Sequence, residues 1–230
     1  MAKKSALITG GTKGIGYGIA QALVSEGFNV AITGRDKEKG NAAAAKLNGD
    51  VLFIEADVRD LKSQQDAVSK VVSKWGSLDV LVANAGVGHF ASIEELTVDQ
   101  WTETIDINLT GVFYSIKAAV EALKKSKGYF ITISSLAGTN FFAGASAYNA
   151  SKFGLTGFTQ AVMLDLRKHG IKTTAIMPGS VATEFNAHKP GPEDEWKIQI
   201  EDIGQIVADL LKMHPRTLPS KIEVRPTTPR

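Results

Sequence analysis

The chain of 230 residues contains no cysteine, which excludes disulfides and thiolate metal sites. A chain without disulfides fits the cytosol, and a cytoplasmic location is the expectation. The four histidines show no metal-ligand spacing, so no metal is expected. No stretch approaches the ~18 to 20 apolar residues needed to span a bilayer. Met1 to Leu7 is short and basic and runs straight into a strand pattern, without the apolar segment and small-residue cleavage site of a secretory signal. An excess of one charge is missing too: 26 basic residues face 24 acidic ones, a net charge of +2. That balance gives no reason to expect nucleic acid or an anionic membrane as partner.

What is present is the balance of a soluble globular protein, 43% hydrophobic and 22% charged, with length enough for one domain and a substantial core. Short β-branched apolar runs alternate with longer amphipathic stretches. The strand patterns are Ser5 to Thr9, Asn29 to Thr33, Val51 to Glu55, Asp79 to Ala83, Tyr129 to Ile133, Lys172 to Met177 and Lys221 to Arg225. Helical patterns cover Ile15 to Glu26, Asp36 to Leu47, Leu61 to Trp75, Val98 to Asp106, Leu109 to Lys125, Tyr148 to His169 and Glu201 to Met213. Runs such as Val80-Leu81-Val82 are apolar at consecutive positions, which means burial on both faces and hence a parallel sheet covered by helices. The expectation is one α/β domain over 1–230, a Rossmann-type doubly wound sheet of about seven parallel strands with helices on both faces. The tail after Met213 holds four of the seven prolines and should be mostly extended.

The first strand runs into Thr9-Gly10-Gly11-Thr12-Lys13-Gly14-Ile15-Gly16, where a helix pattern begins. Side chains at Gly10, Gly14 or Gly16 would hinder a tight turn and close approach of the backbone to a pyrophosphate at a helix N-terminus. A P-loop requires Lys and Ser or Thr after its last glycine, and Tyr17 breaks that pattern. The G-x-G-x-x-G spacing fails as well, because Ile19 stands at its third glycine; what remains is T-G-x-x-x-G-x-G. A glycine-rich surface turn without a ligand is the plain alternative. The second strand ends at Gly34-Arg35, where NAD-binding folds usually place an acid for the ribose 2′-hydroxyl. Arg35 and Lys13, with no acid there, favour a 2′-phosphate and therefore NADP(H) over NAD.

Tyr148 and Lys152 are four apart on one helical face. Ser135 ends the fifth strand, at the sheet edge where open α/β folds bind ligands, and Asn108 sits at a break between two helical segments. With these residues the chain resembles the short-chain dehydrogenase/reductase family in its common short form. The matching motifs are Thr9-Gly10-x-x-x-Gly14-x-Gly16, Asp57-Val58, Asn84-Ala85-Gly86, Asn108, Ser135, Tyr148-x-x-x-Lys152 and Pro178-Gly179-x-Val181-x-Thr183, in family order.

The resemblance implies cofactor contacts along Gly10, Thr12, Lys13, Gly14, Ile15, Gly16 and Arg35. It implies that Asp57 bonds the adenine beside Val58, that Asn84-Ala85-Gly86 lines the cofactor, and that Pro178, Gly179, Val181 and Thr183 hold the nicotinamide end. Ser135 would orient the substrate oxygen and Tyr148 would exchange the proton. Lys152 would grip the ribose and lower the Tyr148 pKa, and Asn108 would hold a relay water. An unperturbed tyrosine near pKa 10 must be brought down to about 7 to 8 to cycle easily at neutral pH. Ser135 and Tyr148 would stabilise an alkoxide as it forms.

The chain departs from the family pattern after Thr183. Glu184 to Ile200 is a short substrate lid, which implies an open pocket and permissive substrate choice. Arg225-Pro226 stands where Gly-Gly is common, which weakens the case for a tetramer; a homodimer or homotetramer is the expectation. His89, Phe141 and Phe142 are the candidate substrate contacts. The expected function is an NADPH-dependent carbonyl reductase acting on a small-molecule ketone, aldehyde or 3-oxoacyl compound. A non-catalytic NADP-binding sensor or scaffold is the alternative, opposed by the retained Tyr148 and Lys152. A nucleotide-sugar epimerase or dehydratase would need a larger C-terminal substrate domain.

Overall fold

The computed structural model describes residues 3–228. Seven parallel strands form one sheet: β1 (Ser5–Ile8), β2 (Asn29–Gly34), β3 (Val51–Glu55), β4 (Val80–Ala83), β5 (Tyr129–Ile133), β6 (Lys172–Pro178) and β7 (Lys221–Val224). Their order is β3-β2-β1-β4-β5-β6-β7, so the chain reverses its direction of winding between β1 and β4. The strands alternate with α1 (Gly14–Ser25), α2 (Lys37–Lys46), α3 (Leu61–Trp75), α4 (Val98–Ile105), α5 (Gly111–Ser126), α6 (Ser146–Leu166) and α7 (Ile200–Lys212).

The consecutive apolar positions of each strand divide between two cores. Ala6, Ile8, Val30, Ile32, Val80, Val82 and Ile131 pack with Leu23 of α1, Ala43 of α2 and Val207 of α7. Leu7, Ala31, Leu81 and Phe130 point the other way, against Val71 of α3, Ile116 of α5 and Leu155 of α6. A polar residue on either face of the central strands would therefore be buried, which is why these strands show no alternation. Local signals set the helix starts. Asp36 accepts the Lys39 amide at the head of α2, Asp60 caps α3, and a Thr97–Gln100 capping box opens α4. Among the described residues, no helix is long and apolar enough to cross a membrane.

One element differs from the sequence expectation. There is no break between the fourth and fifth helices. Asp106–Thr110 forms a π-helical turn that joins α4 to α5 continuously. The wider turn accommodates an extra residue without ending the helix, and Asn108 lies inside it.

Candidate active site

The C-terminal ends of β1 and β4 are stitched together where the winding reverses. Thr9 Oγ1 accepts the amides of Asn84 (3.0 Å) and Ala85 (3.2 Å), while Asn84 Nδ2 donates to the carbonyls of Thr9 (2.9 Å) and Gly10 (3.0 Å). The contact is tight enough to dictate glycines. Gly10 has φ +64°, and a Cβ there would stand 2.9 Å from Ala85 Cα; a Cβ on Gly16 would stand 2.4 Å from Asn84 Nδ2. The turn then delivers the N-terminus of α1, whose N-cap Lys13 offers no side-chain hydrogen bond to the first-turn amides. Those donors and the positive end of the helix dipole sit at the edge of a cleft of about 1020 Å³.

Most of the sequence candidates line this cleft: Gly10, Thr12, Lys13, Gly14, Ile15, Arg35, Asp57, Val58, Asn84, Ala85, Gly86, Ser135, Phe142, Tyr148, Lys152, Pro178, Gly179, Val181 and Thr183. Gly16 packs behind the turn, and Asn108 lies behind Gly86. A Cβ on Gly86 would stand 3.3 Å from Asn108 Oδ1 and 3.9 Å from Lys152 Nζ. The Asn108 amide is spent on structure: Oδ1 accepts the Val87 amide at 2.8 Å, and Nδ2 donates to Val87 O (2.9 Å) and Ser151 Oγ (3.0 Å).

Besides Gly16 and Asn108, two of the three substrate candidates also lie off the cleft lining. His89 turns away to pair with Glu103 at 2.8 Å, and its neighbour Phe90 takes the inward position. Phe141 is 86% exposed; Phe142, one residue on, faces in. Loops carry no side-chain period, so the choice between neighbours was not readable.

Lys152 and Tyr148 project from the first turns of α6. Lys152 is buried, and that burial pulls its pKa down to about 8. Its Nζ donates to Ile133 O at 2.9 Å and lies 5.7 Å from the Tyr148 ring centroid. Burial pushes the Tyr148 phenol up, and a hydrogen bond with Ser135 pulls the other way. The expected lowering of Tyr148 by Lys152 is therefore not produced among the protein's own groups, where desolvation dominates. At the far end, Arg59 grips the Asp57 carboxylate with Nη2 at 2.6 Å and holds its pKa below the usual range, with Arg35 a smaller influence. An adenine bond at Asp57 would have to share that carboxylate with Arg59, a partner two residues along that sequence reasoning overlooked. Among the described residues, neither Lys13 nor Arg35 forms a salt bridge.

A model of the short chain dehydrogenase family matches residues 4–194. The chain belongs to that family. It is an oxidoreductase of this short-chain class, 41% identical over 196 residues to trans-4-hydroxycyclohexanecarboxylate dehydrogenase of Sinomonas cyclohexanicum, covering 81% of this chain and 76% of that one. It also resembles the alcohol dehydrogenase of the archaeon Thermococcus sibiricus complexed with 5-hydroxy-NADP, with a TM-score of 0.91 and 27% identity over 99% of this chain and 98% of the other. A metagenomic short-chain oxidoreductase in complex with NADP gives a TM-score of 0.86 and 32% identity, with 99% of each chain covered.

In this short-chain dehydrogenase the segment after Thr183, expected to cover the substrate, is held at several points. Val181 and Ile198 pair as a parallel bridge at its two roots. Inside it, buried Asp194 receives Lys197 Nζ and His188 Nε2, each at 2.5 Å, and the Gly191 amide at 3.2 Å. From this segment Phe185, His188, Trp196 and Lys197 line the cleft, as do Arg225 and Pro226 beyond β7. The tail was read only for its bearing on assembly. Its signal as a cleft element is the return of the chain past β6, where the Gly179 amide donates to Val224 O at 2.8 Å.

Lys197 first, and His188 second, hold Asp194 down to about 2 from an ordinary 3.8. A folded value below the unfolded one means that its contribution is complete above about pH 4 and lost as pH falls through about 2. At neutral pH, Asp194→Asn should loosen the lid and shift Trp196 emission to the red, measured against a Trp196→Phe control. The wild type should show that shift only towards pH 2, and an unshifted Asp194→Asn spectrum would remove the fastening role.

Proposed function

We propose that this short-chain dehydrogenase is NADP(H)-dependent and moves hydride between nicotinamide and a carbonyl or secondary-alcohol carbon, working as a reductase. The observation that carries the reading is that Ser135, Tyr148 and Lys152 face the same cleft as the glycine turn and Arg35. The residues fit the cofactor. The uncapped start of α1 and Gly10 suit a pyrophosphate, and Lys13 and Arg35 suit a 2′-phosphate. NADP and 5-hydroxy-NADP in two of the related structures support this choice, and the Sinomonas relative is named for a hydroxy-acid ring compound.

Thr12, Gly14, Ile15 and Gly16 would complete the phosphate cradle. Asp57 and Val58 would meet the adenine, Asn84, Ala85 and Gly86 would floor the cleft, and Pro178, Gly179, Val181 and Thr183 would meet the nicotinamide end. Bound there, the cofactor supplies or accepts the hydride. Ser135 orients the carbonyl oxygen, and Tyr148 donates the proton to it. Lys152, mostly protonated at neutral pH with its value near 8, holds the ribose and restores the Tyr148 proton. Asn108 shapes the turn behind Lys152.

Fluorescence titration of the purified protein with NADPH and NADH, followed by a carbonyl screen on NADPH absorbance, tests the reading. Tight, selective NADPH binding is expected. Equal affinities would remove the NADP assignment, and binding without turnover of any carbonyl would favour a sensor.

A further inference from the structure

Three phenylalanines from three separate loops form one cluster with Tyr148, Phe90 and Phe185 against its ring and Phe142 joined through Phe90. Phe90 follows β4, Phe142 precedes α6, and Phe185 opens the lid. Ring centroids lie 5.3 Å apart for Phe90–Tyr148 and 5.9 Å for Tyr148–Phe185. Phe90 is 6.2 Å from Phe142 and 6.5 Å from Phe185. All three line the cleft yet keep between 37% and 51% of their surface exposed. A joined apolar surface of this kind beside a proton donor marks a ligand wall.

The wall is held in place. A parallel bridge between Ala91 and Ala145 ties the Phe90 loop to the Phe142 loop. Buried Asn149 donates to the carbonyls of Ala137 and Asn140, both at 2.8 Å, and accepts the Phe142 amide at 3.4 Å. Phe185 is held by the fastened lid.

Angle and charge define what fits. Phe90 is inclined 31° to Phe142, 59° to Tyr148 and 70° to Phe185, and Phe185 is inclined 56° to Tyr148. No two of these paired walls are parallel, so they do not form the slot that sandwiches a flat aromatic ligand. A puckered saturated ring, with C–H bonds directed several ways, meets several electron-rich ring faces at once. Two basic side chains lining this side are already paired, Lys197 with Asp194 and Arg225 with Glu223. That leaves a poor site for a phosphate-bearing acyl carrier.

We propose that the site takes alicyclic ketones and secondary alcohols, with the reacting carbon in a saturated ring, in preference to 3-oxoacyl thioesters or open-chain ketones. The proposal rests on the oxidoreductase reading. Hydride from NADPH goes to the ring carbonyl carbon and the Tyr148 proton to its oxygen, giving the ring alcohol and NADP⁺. Gly88 is the residue that admits this wall. A methyl there would stand 2.7 Å from two Phe185 ring atoms and 3.0 Å from Phe90 Cε2, so both rings must shift.

The test compares cyclohexanone with hexan-2-one, equal in carbon number, by kcat/KM with NADPH. A preference for the ring of at least about 10-fold is expected, with the ring-to-chain ratio falling towards one in Gly88→Ala and Phe90→Leu. Saturation-transfer NMR with cyclohexanol and hexan-2-ol reads binding without turnover. A wild-type ratio near one, or equal losses for ring and chain in both variants, would overturn the alicyclic assignment while leaving the oxidoreductase reading intact. Ring-selective binding without turnover of either ketone would support the wall and overturn the reaction. Silence in both measurements overturns both.

Discussion

Tyr148→Phe should lower kcat by at least about 100-fold while leaving NADPH affinity within about two-fold, because positioned proton transfer contributes roughly 10²- to 10⁴-fold. The substitution removes one hydroxyl and keeps the ring that packs against Phe90 and Phe185 at 5.3 and 5.9 Å. Fold and aromatic packing should therefore survive, and circular dichroism should not change. The decisive readout is the pH profile. Burial pushes Tyr148 up, so the wild-type profile should carry an alkaline ionisation of the phenol that disappears with the hydroxyl, while that of Lys152 near 8 remains. Retained turnover in Tyr148→Phe would remove Tyr148 as proton donor.

The second large effect belongs to the other end of the cleft. Arg35→Asp should move the NADPH-to-NADH ratio of kcat/KM by about 100-fold or more towards NADH. The change deletes a charge-assisted contact and sets a carboxylate where the 2′-phosphate would lie, and like charges brought together cost several kcal/mol. Two features make the position sensitive. Among the described residues Arg35 forms no salt bridge, and the acid beside it, Asp57, is already committed to Arg59. An unchanged ratio would remove the basis for choosing NADP.

The strands and most helices were legible because burial on both sheet faces leaves unbroken apolar runs, and because Asp36, Asp60 and Thr97 mark helix starts. β3 and α3 fall where their patterns begin and end. The π turn was not legible. Its side chains continue a helical pattern with one residue extra, which reads in sequence as an interruption near Asn108. Residues fixed by backbone geometry were readable, since Gly10 and Gly16 have few alternatives. Side chains on loops were not: His89 and Phe90, or Phe141 and Phe142, are neighbours whose inward member is chosen by tertiary contacts such as the Ala91–Ala145 bridge and the Asn149 amide. Phe185 and Arg59 had no pattern to announce them.

The paired roots of the lid have a consequence for how this protein can change. Val181 and Ile198 lie side by side, with the Ala182 amide donating to Ile198 O at 2.9 Å and the Ile198 amide to Ser180 O at 3.1 Å. The span to be closed is therefore the same whatever the chain does between them, and loop closure depends only weakly on length. Residues 184–197, beyond Thr183, are therefore open to exchange as a cassette. A longer, shorter or differently charged segment can be grafted between the same two roots, altering which molecules are admitted while the sheet and the glycine turn remain as they are.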